Sequence, residues 1–168
     1  MSAEYMVSPR ATTTPFMPTV VALVGGTAKT VLQVATPSTT DIQILAWSVS
    51  FDGASGTAVP VICQLLDGDV AASTGTSFTP EPYGNNQQPA SLCIGGAALT
   101  GYNFGTEGTM TSVTGIDAQH VHPQAGYGIW FPEGSRRRVG PSRFLRIRCQ
   151  APAAVNVIPA IWWAEPAV

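Results

Sequence analysis

The chain has 168 residues, enough for one domain, and a net charge of −2. Charged residues make up only 11%, against about 25% in ordinary soluble domains. The slightly negative balance argues against a protein that binds nucleic acid through a broad basic face, and no apolar run is long enough to predict a membrane span. So few charges are typical of a surface that partners cover in an assembly, and a compact domain with a hydroxyl-rich surface is the alternative.

The N-terminal segment is unlike the rest of the chain. Pro9, Pro15 and three consecutive threonines at 12–14 disfavour a helix. We therefore predict an extended N-terminal arm over residues 1–17 that becomes ordered on a partner surface, with a mobile terminus as the alternative. Residues 18–168 are predicted to form the folded domain.

From Thr19 onward, short apolar runs are separated by turn residues. The clearest strand is 41–51, where apolar side chains fall on both alternating faces, which indicates a buried strand or a strand with one face in an interface. Residues 71–90 have little periodicity and predict a long surface loop. Since no capped run keeps a helical period, the sequence predicts an all-β fold: a single β-sandwich or barrel of eight to ten strands, with a jelly roll favoured over an immunoglobulin-like sandwich.

The chain has three cysteines, Cys63, Cys93 and Cys149. An odd number without recurring spacing does not indicate a disulfide framework, and the absence of a CxxC pair argues against a zinc ribbon. We expect buried free thiols in a reducing compartment.

His120 and His122 form an HxH pair on a predicted strand, where both rings would point to one side. Such a pair can supply two ligands of a metal site, but Asp117, the nearest carboxylate, falls on the opposite face of a regular strand. The pair is a weak metal candidate, and a solvated or interface pair is the alternative.

Six of the seven arginines lie between residues 136 and 148. Arginine forms bidentate pairs with carboxylates and stacks on aromatic rings. The cluster therefore predicts a docking surface for an acidic partner, with pairing inside the sheet as the main alternative and phosphate contacts as a weaker one. The residues assigned to this partner surface are Arg136, Arg137, Arg138 and Arg143.

Two further patterns bear on chemistry. Trp162 and Trp163 are adjacent, so on a strand they point to opposite faces and cannot form one sugar-stacking platform; one is expected in the core and the other in an interface. There is no GxSxG motif, no supported Cys–His pair and no pair of carboxylates suited to acid–base catalysis. The sequence therefore predicts neither an enzyme nor a cofactor.

Four segments carry a resemblance to a known group of proteins: KTVLQVATPSTTDIQILAWSVSFDG, LTGYNFGTEGT, SRFLRIRCQAPAAVN and the terminal IWWAE. In order and spacing they resemble small virion structural proteins of tailed bacteriophages, especially those of actinobacterial hosts. The likeness spans about Lys29 to Glu165 and includes no catalytic signature.

The resemblance implies a head decoration or minor capsid protein that is β-rich, oligomeric and free of cofactors. The expected partners are other copies of the chain, as a homotrimer, and the major capsid protein. The expected location is the virion, assembled in the host cytoplasm. A tail or baseplate-associated β-domain that binds carbohydrate is the alternative, and an unrecognised hydrolase is a third and less favoured one.

Overall fold

A computed structural model describes residues 2–10, 17–52, 59–83 and 88–166. Within these ranges the chain forms thirteen strands and one 3-10 turn, Glu133–Ser135, and no α-helix. None of the described segments is a helix suited to crossing a membrane. The strands make two antiparallel sheets, which confirms the all-β sandwich predicted from the sequence.

The first sheet has seven strands. Five follow one another in spatial order: β10 (Tyr127–Trp130), β4 (Ile42–Asp52), β13 (Val155–Glu165), β1 (Ala3–Val7) and β7 (Glu81–Pro82). Two more pair at the ends of the long strands: β11 (Arg138–Val139) with β4 and β2 (Val21–Leu23) with β13.

The second sheet has six strands. In spatial order they are β6 (Thr76–Ser77), β8 (Gly101–Tyr102), β3 (Ala28–Ala35), β12 (Phe144–Gln150), β5 (Val61–Gly68) and β9 (Val113–Val121).

The strands of four or more residues pair in a nested order. The first of them pairs with the last, β1 with β13, and β3 pairs with β12. The inner pairs are β4 with β10 and β5 with β9. This nesting agrees with the jelly-roll version of the predicted sandwich.

The N-terminal segment is not an arm separate from the domain. β1 runs between β13 and β7 through five registered pairs with β13. Tyr5 and Val7 are buried in the core between the sheets, and the Tyr5 hydroxyl donates to the Pro89 carbonyl at 2.8 Å. The prediction of an arm over residues 1–17 is therefore wrong for residues 3–7, because the proline and threonine content hid a five-residue strand. Residues 11–16 lie outside the described ranges.

A β-bulge explains the two-sided apolar pattern of residues 41–51. Register with β13 passes from Ala46 directly to Ile44, so Leu45 is the extra residue on β4. The bulge changes which side chains face inward: Ile42 and Ile44 before it, and Trp47 and Val49 after it, all belong to the same core. These four apolar residues of β4 therefore fill one core, and the two-sided pattern by itself gives no support to an interface on the second face.

Residues 71–90 are more than a surface loop. They include the short strands β6 and β7, and Ala72 is fully buried. Two stretches, 69–77 and 94–112, which we call the cover, supply groups that bind the outer-face side chains of the six-stranded sheet: Ala72 and Leu99 bind Gln33, and Glu107 binds Arg146. Residues 84–87 of the predicted loop lie outside the described ranges.

One polar group joins the two sheets at the edge of the core. The Asp117 carboxylate on β9 accepts from the Trp47 indole N–H at 3.1 Å and from the Tyr127 hydroxyl at 2.9 Å. Burial, together with the bond to Asp117, raises the pKa of Tyr127 to about 12. Asp117 thus ties the edge strand of one sheet to two strands of the other.

Candidate binding surfaces

The outer face of the seven-stranded sheet carries a row of side chains across five strands. Trp130 pairs with Ala46, Ala46 with Trp162, and Trp162 with Met6, which in turn pairs with Glu81. Directly paired residues project from the same side of a sheet, so the row forms one continuous surface. The small Ala46 between the two tryptophans leaves room for their rings to meet.

Three aromatic rings converge on this row, and we call them the aromatic cluster: Tyr83, Trp130 and Trp162. The Trp130 and Trp162 centroids are 5.5 Å apart, and Tyr83 lies 5.9 Å from Trp130 and 6.4 Å from Trp162. Trp130 is 54% exposed and Tyr83 is 37% exposed, so the cluster presents ring faces to solvent. An exposed cluster of aromatic rings on a sheet face is a marker of a binding surface.

Charged groups flank the aromatic cluster. At one end Arg10 pairs with Glu81 at 2.5 Å, and its Nη2 lies 3.7 Å from the Met6 sulfur. At another corner Arg138, which pairs with Gln43 on β4, reaches Asp41 at 3.0 Å and remains largely exposed. Tryptophan, tyrosine, methionine and arginine are the residues enriched at the centres of protein interfaces.

The predicted arginine surface does not form one patch. Arg136 donates to the Phe131 carbonyl at 3.3 Å, Arg137 is exposed, and Arg138 lies at the edge of the seven-stranded sheet. Arg143 binds Asp67 at 2.8 Å and also contacts Ser112, which is the intramolecular pairing considered as the main alternative. Of the four assigned residues, Arg138 is the one whose strand position places it beside the aromatic cluster.

The remaining two arginines of the run, Arg146 and Arg148, lie on the outer face of the six-stranded sheet. Arg146 is fully buried beneath the cover and donates to the Glu107 carbonyl at 3.0 Å. Burial lowers the pKa of Arg146, and the Glu107 carboxylate partly offsets this. Next to them, between β5 and β9, is a groove of about 520 Å³.

The histidine pair does not gather a metal site. His120 is exposed on β9, and the Nδ1 of His122 accepts from the Gln124 amide at 3.2 Å. Over the described ranges, no group of three or more potential metal ligands forms around this pair or elsewhere. Asp117, the carboxylate considered as a third ligand, is engaged by Trp47, Tyr127 and Gln119.

The cysteines are free and buried, as expected from their number and spacing. Burial and the neighbouring Glu165 carboxylate raise the pKa of Cys93, so its thiol stays protonated near neutral pH. Cys63 and Cys149 are register partners whose sulfurs lie 3.5 Å apart, and their mutual hydrogen bond and burial raise the pKa of Cys149. A buried protonated thiol is a poor nucleophile, so Cys93 and Cys149 serve packing.

Glu165 has a structural role at the end of β13. Its carboxylate accepts from the Trp163 indole N–H at 2.9 Å, the Leu92 amide at 2.9 Å and the Ser91 hydroxyl at 2.5 Å. These three donors satisfy a buried carboxylate and fix the segment at 91–93 beneath the sheet.

The two adjacent tryptophans are divided as predicted. Trp163 is fully buried in the core, whereas Trp162 lies half-buried on the outer face. No sequence pattern indicated that Trp130 and Tyr83, which are 32 and 79 residues away from Trp162 in the chain, would join it. The one local indication was the alternation of β10, which places Trp130 on the same face as Gly128 and opposite to Tyr127 and Ile129.

Comparisons with protein-family models, with curated proteins and with solved structures found no match for this chain.

Proposed function

We propose that the protein is a structural component of a bacteriophage virion, a decoration protein that binds the outer surface of the head and stabilises it. It acts by binding and not by catalysis. The observation that carries the proposal is the aromatic cluster, an uncovered row of aromatic side chains on one outer face of the sandwich. The resemblance to small virion proteins and the low content of charged residues support the same role.

The aromatic cluster is the proposed contact with the major capsid protein. Aromatic rings contribute large buried area with few rotatable bonds, and Met6 and Arg10 extend the row with adaptable contacts. The flanking Arg138 suits an acidic group at the rim of the partner's surface. A homotrimer in solution or on the particle remains part of the proposal, since the same face can meet a neighbouring copy.

The test is binding of purified protein to capsids that lack it. Trp130→Ala should weaken binding at least tenfold and leave the fold intact, because the side chain is 54% exposed. Ile94→Ala is the matched control, since Ile94 is an apolar residue in the cover with a similar exposure of 62%. Equal binding by Trp130→Ala and wild type would reject this docking surface. A copy number in purified particles far below that of the capsid protein would reject a decoration role.

A tail-associated carbohydrate-binding domain is the second candidate, and the same cluster favours it. The Trp130 and Trp162 rings are tilted by 40° to each other, and Arg10 and Glu81 form an ion pair at the end of the same row. Aromatic faces pack against the C–H faces of sugars, and paired charges bind hydroxyl groups. Retention on immobilised host polysaccharide that Trp130→Ala abolishes, without any binding to capsids, would favour this candidate over the first.

A further inference from the structure

Two of the three cysteines lie side by side on neighbouring inner strands of the six-stranded sheet. Cys63 on β5 and Cys149 on β12 are directly opposed register partners, and the Cys149 thiol donates to the Cys63 sulfur at 3.5 Å. Both side chains are buried in the core between the sheets. Because the two residues are 86 positions apart in the chain, a bond between their sulfurs would join distant parts of the sequence.

The backbone around this pair has the spacing that a disulfide needs. Each of the seven residues of β12 pairs with β5 without a register shift, whereas the ladders of β12 with β3 and of β5 with β9 each contain one. Opposed residues of a regular antiparallel pair have Cα atoms about 4.5–5.5 Å apart, within the range of about 4.4–6.8 Å found across disulfides. The sulfurs must approach by only about 1.5 Å, so small side-chain rotations suffice.

Cys93 lies in a different place. It is also buried, but its amide donates to the Ser91 hydroxyl oxygen at 3.0 Å, and its thiol neighbours the carboxylate of Glu165, the last residue of β13. Cys149, in contrast, comes shortly before the turn that leads into the first residue of β13. Most of this eleven-residue strand therefore separates Cys93 from the pair, so the fold supplies one cysteine pair and one isolated thiol.

We propose that Cys63 and Cys149 form a disulfide on oxidation and that this bond staples β5 to β12, while Cys93 remains a thiol. The proposal goes beyond the binding function and does not depend on it. In the reducing compartment expected from the sequence the pair stays as two thiols, and oxidising surroundings close it. A bond across so long a loop restricts the unfolded chain and thereby stabilises the fold.

The chemistry needs a two-electron oxidant, and hydrogen peroxide is the simplest. One sulfur attacks the peroxide, the O–O bond breaks, and a sulfenic acid and water form; the second sulfur then attacks the first, the S–O bond breaks, and a second water leaves with the remaining thiol proton. Two thiols and one peroxide thus give one disulfide and two waters. Oxidised glutathione makes the same change by exchange and leaves as two thiols.

The folded pair is protected from fast oxidation. The hydrogen bond to Cys63 and burial raise the pKa of Cys149, so its thiol stays protonated near neutral pH and is a poor nucleophile. The bond therefore forms when β5 and β12 separate locally, or before they pair during folding. This requirement sets the two routes by which oxidation is tested.

The experiment starts from the full chain purified with all its cysteines as thiols. One sample is treated with hydrogen peroxide in the folded state, and another is refolded from urea with oxidised glutathione. Remaining thiols are alkylated with N-ethylmaleimide in denaturant and counted by intact mass. The reduced chain should take up three groups, one for each free cysteine, and the oxidised chain only one. Peptide mapping should show Cys63 joined to Cys149.

Two variants assign the pair. Cys93→Ala should form the same disulfide and keep no thiol, whereas Cys63→Ala should keep two thiols after the same treatment. Oxidation should raise the melting temperature of the wild-type chain by about 5 °C or more and leave that of Cys63→Ala unchanged. The mapping in the wild-type chain needs no variant, so the test stands even where Cys63→Ala folds poorly.

Three outcomes would overturn the proposal. Three free thiols after both treatments would show that the pair does not close. A disulfide that includes Cys93 would show that the fold does not select the partners. A lower melting temperature in the oxidised wild-type chain would show that the bond strains the sheet instead of stapling it.

Discussion

The middle strands of the two sheets carry opposite kinds of side chain on their outer faces. On the six-stranded sheet, β3 and β12 present Gln33 and Arg146, which are as buried as core residues. On the seven-stranded sheet, β4 and β13 present Ala46 and Trp162, with Trp130 beside them in the open. Among the residues that the structure describes, segments of the chain cover the first face and leave the second face exposed.

On the first face, buried polar side chains need the cover because it supplies their hydrogen-bond partners. The Gln33 side chain accepts from the Ala72 amide at 2.8 Å and donates to the Leu99 carbonyl at 2.7 Å, so both ends of its amide bind the cover. A polar side chain of this kind requires defined partners, which only an ordered segment can supply. The side chains of the aromatic face need no specific hydrogen-bond partner, so they can make apolar contacts with another molecule.

Removing β1 should have the largest effect on stability. Deletion of residues 1–8 takes Tyr5 and Val7 out of the core and exposes the edge of β13, so we expect loss of cooperative unfolding or a cost of about 4 kcal/mol or more. Urea denaturation followed by tryptophan fluorescence measures it. Met6→Ala, on the outer face of the same strand, is the control and should cost far less. An unchanged midpoint in the truncated chain would restore the arm interpretation.

The adjacent tryptophans allow the core and the outer face to be compared at neighbouring positions. Trp163→Ala should cost about 3–5 kcal/mol, because it removes a fully buried ring and the donor at 2.9 Å to Glu165. Trp162→Ala should cost about 1–2 kcal/mol, since its ring is half-buried. Equal costs in chemical denaturation would mean that the outer face is as closely packed as the core.

Gln33 tests the attachment of the cover. Gln33→Leu keeps the volume but leaves the Ala72 amide and the Leu99 carbonyl without their partner, at a cost of about 1–3 kcal/mol. Amide exchange of the cover should accelerate more than that of β12. Gln150→Leu, whose exposed side chain donates to the Gly26 carbonyl at 3.0 Å, is the control and should stay within about 0.5 kcal/mol. Uniform exchange in the Gln33 variant would show that the cover is held by other contacts.

Much of the fold was predictable because alternation and turn residues are local signals. The strand predicted at 41–51 is β4, and the separation of Trp162 from Trp163 follows from strand period alone. The bulge at Leu45 was not predictable, since it depends on the partner strand. β1 was missed because a five-residue strand among prolines is decided by pairing with β13, at the far end of the chain.

The candidate sites were less predictable than the fold. The aromatic cluster joins Tyr83, Trp130 and Trp162, which come together only through sheet order. The arginine run looked continuous in sequence, but strand alternation and a sheet change divide it between the two outer faces, so Arg143 and Arg138 have unrelated neighbours. Sequence proximity therefore grouped residues that the fold separates.

The clasp that closes the cover should give the smallest effect, and one that depends on pH. Asp69 at the start of the cover binds Thr111 near its end: the Thr111 amide donates to Oδ1 at 3.0 Å and the hydroxyl to Oδ2. The bond from the Thr111 hydroxyl and the neighbouring backbone bonds lower the pKa of Asp69 from 3.8 to about 2.

Because the pKa of Asp69 is lowered in the folded chain, its contribution to stability is present above pH 4 and is lost as the pH falls through about 2. The Thr111 amide resonance should therefore titrate with a midpoint near 2. Thr111→Val removes the hydroxyl donor and should move the Asp69 midpoint upward toward 3.8, whereas Thr114→Val on exposed β9 should leave it in place. A midpoint near 3.8 in the wild-type chain would show that the clasp is open in solution.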